Sequence, residues 1–433
     1  MAKYPLRPEG VGFIVFFGLL AALSGLAIDI GLPALSTIAD SLDILPSKAS
    51  LTITVFLAGL AIAPLAYGPL SDRYGRRPLI IAGCILFTLA GIGVTFSPDI
   101  NLILLFRFLQ GAGVGAGSTL SLSVVRDLFS GARARTLLSY IAIVRLLGPM
   151  AAPSIGAIIL DILEWRWIYA FLAICGLCLT IVMILCIDET APKFKAPEKY
   201  KPMPVLTSYL TVVRNPVYIG YTAIVAIGFA SQFSFVTGSP LVMMQSLGVS
   251  ARGFGILFAM SAFGVMLASF TNSQMSLRGV SPSKLLWIGL SISVIATVTL
   301  VLLTITGWAS PATLMPCFIV HSFSYGLVAP NAQQRALQPL GHCAGAAAAL
   351  LSSCTMLFGA LGGMLVGRLY SSLHILAVTG SMCMFCCISL SIYVLMVKKK
   401  LVVDDIGEDE EIKTTPNTNT SLAETSATAQ TAN

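Results

Sequence analysis

Four ionisable side chains lie deep within long apolar stretches of this sequence: Asp29, Arg107, Arg145 and His321. Burying a charged group in hydrocarbon costs several kcal/mol, so such residues mark proton pathways, ion pairs or contacts with a polar substrate. Asp29 is the only carboxylate among them, and a lone buried carboxylate can take up and release a proton. These four positions are the first candidates for chemistry, and the apolar segments around them must hold them in place.

Those apolar segments dominate the chain. Of its 433 residues, 56% are apolar and only 10% are charged, whereas soluble domains carry about 25% charged residues. A membrane-spanning helix needs about 20 apolar residues. Segments of that length cover residues 12–34, 50–70, 78–97, 101–125, 136–161, 166–187, 216–243, 252–274, 284–306, 311–331, 343–368 and 373–397. The composition therefore predicts an all-α membrane protein with twelve transmembrane helices.

Charged and proline-rich segments divide these helices into two halves. Residues 1–187 hold the first six spans and residues 216–397 the last six, with a basic linker at 188–215 and a polar tail at 398–433. We expect the linker to be irregular and the tail to be disordered, because neither can bury a core. Gly31-Leu-Pro33, which ends the first span, parallels Gly238-Ser-Pro240, which ends the seventh. This parallel indicates two six-helix pseudo-repeats.

The basic residues fix the expected orientation. Cytoplasmic loops carry an excess of Lys and Arg. If the N-terminus is cytoplasmic, that side holds all of the 26 Lys and Arg except Lys48, Arg107, Arg145, Arg166, Arg252 and Arg368. We therefore expect both termini in the cytoplasm. The net charge of +7 is spread over short loops, which does not favour nucleic-acid binding.

The loop between the second and third spans carries the most specific motif, Gly68-Pro-Leu-Ser-Asp-Arg-Tyr-Gly-Arg-Arg-Pro78. Its charges require an aqueous loop, and we expect its glycines to provide close packing and positive φ. It resembles the signature of the major facilitator superfamily, matching at Gly68, Leu70, Asp72, Arg73, Gly75, Arg76 and Arg77. The resemblance implies that this loop, with Arg126 and Asp127, forms a cytoplasmic charge network that biases the conformational equilibrium.

Two further runs resemble motifs of drug:proton antiporters. The run Leu26–Pro33 around Asp29 is similar to their first-span motif, although Ser36 replaces its second proline. The run Arg107–Gly115 is similar to their fourth-span motif, in which the arginine participates in proton transfer. By helical rise, Asp29 lies ~26 Å up the first span and Arg107 ~8 Å below the outer face, at comparable depths. We expect these two residues to couple transport to protons.

The fifth span carries small residues and prolines at Ser139, Gly148, Pro149, Ala152, Pro153, Gly156 and Ala157. This spacing resembles the antiporter motif that marks exporters, with three of its glycines replaced by serine or alanine. Small residues and two prolines favour a bent, closely packed helix. Gly148, Pro149, Pro153 and Gly156 are therefore expected to act in the conformational change, with simple helix packing as the alternative.

Arg145 lies in the same span, ~15 Å from Arg135 by helical rise and so near the membrane midplane, and His321 lies at a similar depth. A cation at that depth favours a cavity lining, since an unpaired arginine facing lipid is expensive. His321 is either a substrate ligand or a hydrogen-bonded packing residue. With Gln110, Gln232 and Tyr325, these two residues form the expected substrate site between the halves.

Taken together, residues 10–397 resemble the bicyclomycin/chloramphenicol-resistance (Bcr/CflA) group of drug:proton antiporters. The resemblance implies a monomeric, proton-driven exporter in the bacterial inner membrane that works by alternating access. Three scattered histidines and one deep carboxylate provide neither an enzyme's nucleophile–base pair nor a metal site. We therefore expect no catalytic activity, cofactor or metal, and a small-molecule substrate, protons and the lipid bilayer as partners.

Two alternatives remain open from the sequence. Two arginines against one aspartate give the cavity a positive charge, which favours a dedicated carrier for an anionic metabolite such as a carboxylate siderophore, exported or imported. A membrane receptor or sensor that transports nothing would tolerate the loss of the hinge glycines.

Overall fold

The computed structural model describes residue 6 and residues 10–129, 131–190 and 205–399. Within these ranges the regular elements are all helical. They are α1 (Val11–Asp29), α2 (Leu35–Ser41), α3 (Pro46–Tyr74), α4 (Arg76–Phe96), α5 (Ile100–Leu128), α6 (Gly131–Ile162), α7 (Arg166–Cys186), α8 (Val205–Val213), α9 (Pro216–Pro240), α10 (Ala251–Leu277), α11 (Pro282–Ile305), α12 (Pro311–Leu337), α13 (Ala344–Leu373) and α14 (Ile375–Lys398). Twelve of the resulting helical segments are long and apolar enough to cross a membrane, which confirms the predicted fold class.

The first span breaks where its proline requires it. Pro33 cannot donate a backbone N–H and forces a short 3₁₀ turn, Leu32–Ala34, between α1 and α2. The seventh span breaks in the corresponding place, because α9 ends at Pro240 and a π-helical turn, Leu241–Ser246, follows. Asp29 is thus the last residue of α1, directly before a break in the helix.

The linker contains a helix that the sequence reasoning did not predict. Residues 205–213, at the end of the expected linker 188–215, form α8. Residues 191–204 of the linker and residues 400–433 of the expected tail lie outside the described part of the chain.

Small residues bring α1 and α6 into close contact. A Cβ built on Gly18 would lie 2.6 Å from Val144 Cβ, and one on Gly148 would lie 2.9 Å from the carbonyl oxygen of Ala22. Real Cβ atoms do not approach neighbouring atoms this closely. The glycines therefore set the distance between the helix axes and determine which part of α6 lies beside α1.

The two halves meet at the end that we expect to face outward. There, a Cβ on Gly363 of α13 would lie 3.1 Å from Thr54 Oγ1 of α3, and Arg252 of α10 pairs with Asp161 of α6. Near the opposite ends of α3 and α13, Gly68 and Gly345 have open space beside them. The contacts described here between the halves therefore lie at the expected outer end, and these two glycines make no close contact near the expected cytoplasmic end.

Candidate functional site

Asp29 lies inside the first half at the α1 break. It is 6% exposed. Its carboxylate has no hydrogen-bond or ion-pair partner among the described residues. Because the helix ends at this residue, the carboxylate lies where the backbone geometry changes, and it is available to bind a proton or a cation.

Arg107 of α5 is held by neighbours from four helices. The side chain is 2% exposed. Its guanidinium donates to Gln110 Oε1 at 2.7 Å and to the carbonyl oxygen of Ala27 at 3.1 Å. It also lies over the rings of Phe56 and Tyr169, with centroid distances of 4.4 and 5.4 Å. Cation–π contacts of this kind stabilise a desolvated cation.

Arg107 contacts the α1 backbone near Asp29, but the side chains of Asp29 and Arg107 form no ion pair in this conformation. Arg107 bonds Ala27, two residues before Asp29 on α1. No ion pair within 4.0 Å connects the two side chains. The Arg107 Nε atom is buried and has no partner among the described residues, so its N–H is free to donate to a carboxylate that moves towards it.

Arg145 of α6 differs from the other deep cations because its side chain is exposed. Its chain neighbours Val144 and Gly148 contact α1 at Gly18 and Ala22. No hydrogen bond or ion pair joins its guanidinium to any described side chain. Asp29 lies seven residues beyond Ala22, or ~10 Å by helical rise, so it does not neutralise Arg145.

The other expected substrate residues divide into two groups. Gln232 and Tyr325 are half-buried on α9 and α12, where the Tyr325 ring lies 5.9 Å from that of Phe229. Gln232 donates to Ser322 Oγ at 3.2 Å, and its Oε1 atom is buried without a partner. Gln110, which bonds Arg107, is 0% exposed.

His321 lies inside the second half. It is 1% exposed, and its two ring nitrogens lie 3.3 Å from Ser231 Oγ and 3.1 Å from Ser293 Oγ. The thiol of Cys386 lies 3.1 and 3.0 Å from the same two hydroxyls. In this conformation His321 therefore occupies the hydrogen-bonded packing arrangement that the sequence left open as its alternative role.

The turn between α3 and α4 is shorter than the sequence indicated. The expected loop Gly68–Pro78 is helical up to Tyr74 and again from Arg76, and Gly75 alone reverses the chain with φ +98°. Only glycine adopts this conformation readily. The close packing expected at Gly68 is not found here, because no atom comes within 4 Å of a Cβ built on it.

Charged groups tie this turn to α5 and α7. Arg76 Nε donates to Asp127 Oδ2 at 2.9 Å. The backbone N–H groups of Arg76 and Arg77 donate to the Glu189 carboxylate at 2.9 and 3.2 Å, and the Arg77 side chain donates to the carbonyl oxygen of Ile184 at 2.7 Å. Glu189 thus caps the N-terminus of α4, where unpaired N–H groups and the helix dipole favour a negative charge.

The other members of the expected charge network are not seen to pair with neighbouring helices among the described contacts. Arg73 lies over the Tyr74 ring at 5.4 Å from its centroid, and Arg126 is exposed. The side chain of Asp72 lies outside the described part of the structure. The contacts described above join helices of the first half to one another and to the start of the linker, so in this conformation they do not connect the two halves.

The expected hinge residues of α6 lie along α1. A Cβ on Gly25 would lie 2.5 Å from Pro149 Cγ, and Gly156 lies against the carbonyl of Ile30. Pro153 is buried in the same helix. The motif therefore places the α6 backbone against both sides of the Asp29 break.

Sequence reasoning missed the residues that surround Arg107 and the α4 turn. Phe56 and Tyr169 come from helices distant in sequence, and no local motif identified them. The sequence marked Glu189 only as an acidic residue just after the sixth span, with no sign that it contacts α4. Among the described residues, no three His, Cys, Asp or Glu side chains cluster as metal ligands would.

The family model described as Major Facilitator Superfamily matches residues 17–363. The chain is 33% identical to the uncharacterized MFS-type transporter YdgK of Bacillus subtilis over 85% of this chain and 91% of that protein. It is 30% identical to a bicyclomycin resistance protein homolog of Haemophilus influenzae over 82% and 89% of the two chains. For multidrug resistance protein D of Escherichia coli the identity is 28%, over 80% and 86%.

Solved structures agree with the fold. A POT family transporter crystallised with 5-aminolevulinic acid superimposes with a TM-score of 0.73 at 14% identity, over 92% of this chain and 97% of that chain. The family match covers most of the chain, and twelve of the described helical segments are long and apolar enough to cross a membrane. The chain is therefore a multi-pass membrane transporter that belongs to the Major Facilitator Superfamily.

Proposed function

We propose that this protein is a proton-driven exporter of small molecules in a bacterial inner membrane. Asp29 carries the proposal: a buried carboxylate without a partner, at a helix break beside the Arg107 network. Relatives named for resistance to bicyclomycin, chloramphenicol and multiple drugs support the export of drug-like substrates.

Protonation of Asp29 would be linked to access through Arg107. The free Nε donor of Arg107 and its bond to the α1 carbonyl at Ala27 allow it to approach an ionised Asp29 when α1 moves. An ion pair would then hold the site in one state, and a proton would release it. Because the contacts described between the two halves lie at the expected outer end, we assign this conformation to the state open to the cytoplasm.

The distribution of positive charge along the chain supports the expected orientation in the membrane. The Lys and Arg of the chain concentrate on the side of the α3–α4 turn, so we propose that this side and both termini are cytoplasmic. A single chain contains both halves and the proposed site, which supports a monomeric transporter.

Arg145 is proposed to bind an electron-rich group of the substrate. Its guanidinium is exposed and unpaired among the described residues, and α1 packs beside its chain neighbour Val144 at Gly18. A cation in hydrocarbon is expensive, so an exposed arginine at this depth favours a water-filled cavity beside it. Gln232 and Tyr325, half-buried in the other half, would contact the substrate from the opposite wall.

Uptake and efflux screening tests this function. Cells of a transporter-deficient bacterial host expressing the protein should expel at least one drug-like compound from a set of cationic, neutral and anionic molecules. Dissipating the proton gradient should abolish that efflux. Import of an anionic metabolite would assign a different carrier role, and the absence of substrate counterflow in proteoliposomes would assign a sensor.

A further inference from the structure

A groove outside the proposed transport pathway lies between α11 and α14. It has a volume of about 660 Å³. Its lining is almost wholly apolar apart from one end and comprises Ser283, Lys284, Trp287, Ile288, Tyr393, Val394 and Val397. Trp287, Ile288 and Val397 are 45–48% exposed. The groove therefore opens to the surroundings of the helix bundle, where acyl chains surround a membrane protein.

The end of the groove at the expected cytoplasmic side is basic. Lys284 lines it and is exposed, and Lys399 follows directly after α14. Arg335 donates to Ser283 Oγ at 3.4 Å. The α11 helix begins here, so the positive end of its dipole points the same way.

Aromatic side chains mark the depth of this end. The Trp287 and Tyr393 rings lie 6.0 Å apart, and the Tyr393 hydroxyl donates to the carbonyl oxygen of Ser283 at 3.2 Å. Tryptophan and tyrosine are enriched where hydrocarbon meets the headgroups. The groove thus runs from hydrocarbon to the headgroup level, with the cations at the headgroup end.

Among the described residues of the second half, no Asp or Glu can pair with Lys284 or Lys399. The sequence contains no Asp or Glu between Glu198 and Asp404. Basic pockets between transmembrane helices on the cytoplasmic side bind anionic headgroups. The apolar groove and the exposed Lys284 and Lys399 therefore fit one molecule with an acyl tail and an anionic phosphate.

We propose that this groove is a selective site for an anionic phospholipid of the cytoplasmic leaflet. The acyl chain packs against Trp287, Ile288 and Val394, and the phosphate lies against Lys284. The site is separate from the proposed coupling and substrate residues, so it does not depend on the proposed function.

Quenching of tryptophan fluorescence by brominated lipids measures occupancy of the groove. Four tryptophans are present, and Trp165 is 2% exposed, so it can stay in every variant. One protein keeps Trp165 and Trp287, and a matched control keeps Trp165 and Trp308 at the other end of the α11 segment. Each is reconstituted with brominated phosphatidylglycerol or brominated phosphatidylcholine in an unbrominated phosphatidylcholine bilayer.

Trp287 should prefer phosphatidylglycerol by roughly fivefold, as expected for one nearby cation, and Trp308 should show no preference. Lys284→Gln should abolish the preference at Trp287, while Lys48→Gln, which removes an exposed charge at the opposite end, should preserve it. Equal quenching by both lipids at Trp287, or a preference that survives Lys284→Gln, would overturn the proposal. A preference that appears only after the acidic residues 404–411 are removed would overturn it too, because it would show that the tail pairs with these cations in the intact protein.

Discussion

Thr54 offers a direct test of how the two halves separate. It lies on α3 where this helix meets α13, and it is 3% exposed. Among the described residues its hydroxyl has no hydrogen-bond partner, and it faces Gly363 across the contact between the halves. When the outer end opens, water can reach the hydroxyl. Thr54→Val should therefore stabilise the state that is closed at the outer end.

The size of the effect follows from the missing bond. A buried polar group without a partner costs about 1–3 kcal/mol. Removing the hydroxyl should therefore raise the ratio of outer-closed to outer-open molecules by about 5- to 150-fold. Valine keeps the β-branched shape of threonine, so packing within α3 should change little.

Thr52→Val is the matched control. Thr52 is two residues away on the same helix and 1% exposed, but its hydroxyl donates to the carbonyl oxygen of Ala49 at 2.7 Å. Opening the outer end preserves this bond, so the substitution should leave the equilibrium between the two states unchanged.

Spin labels across the outer contact measure the two states. Leu45 and Ser371 line opposite sides of a cavity of about 270 Å³ at this end, so labels there report the separation in a cysteine-depleted background. In double electron–electron resonance experiments, Thr54→Val should enlarge the population with a short distance between the labels. Thr52→Val should give the same distance distribution as the parent protein. An unchanged distribution in Thr54→Val, or equal shifts in both variants, would refute the reasoning.

The remaining predictions concern the α4 turn and the proposed substrate site. Gly75→Ala should lower the free energy of unfolding by about 1–3 kcal/mol, because its φ of +98° with ψ of 159° is nearly restricted to glycine and a Cβ would collide with the Glu189 carboxylate. Gly68→Ala, inside α3 with open space beside it, should instead keep or slightly raise thermal stability; equal losses would contradict this account. Glu189→Gln weakens the α4 cap by about 0.3–1 kcal/mol and should slow turnover without changing substrate affinity, and a matching loss of affinity in binding assays would argue against it. Arg145→Lys should impair transport of an anionic substrate more than that of a neutral one, because the bidentate geometry is lost, and Arg145→Met should impair it further; equal losses for both substrates would make Arg145 a structural residue.

The fold could be predicted because the membrane leaves few choices. A buried backbone must satisfy its hydrogen bonds within each segment, so the lengths of the apolar runs predicted the spans. The turn between α3 and α4 was harder to predict, because a single glycine with positive φ stands where the charges suggested a longer loop. Pro33 indicated an end to the first span, but the short helix beyond the break was not predicted.

The candidate site was predictable only where neighbours are close in sequence. Gln110 follows Arg107 by three residues, a spacing that puts both side chains on one face of α5, and the two form a 2.7 Å hydrogen bond. The contacts of Arg107 with Phe56 and Tyr169 depend on how three helices pack, which no local pattern encodes. The bond between Glu189 and the Arg76 backbone spans 113 residues, and it was inaccessible to sequence reasoning for the same reason.

Uphill transport in proteoliposomes tests proton coupling through Asp29 most directly. With a pH gradient imposed and equal substrate on both sides, the parent protein and Asp40→Asn, which removes an exposed acid on α2, should accumulate the substrate identified by screening. Asp29→Asn should not accumulate it, yet it should still exchange labelled for unlabelled substrate. Accumulation by Asp29→Asn to the level of the parent would contradict the assignment of Asp29 as the proton-coupling carboxylate.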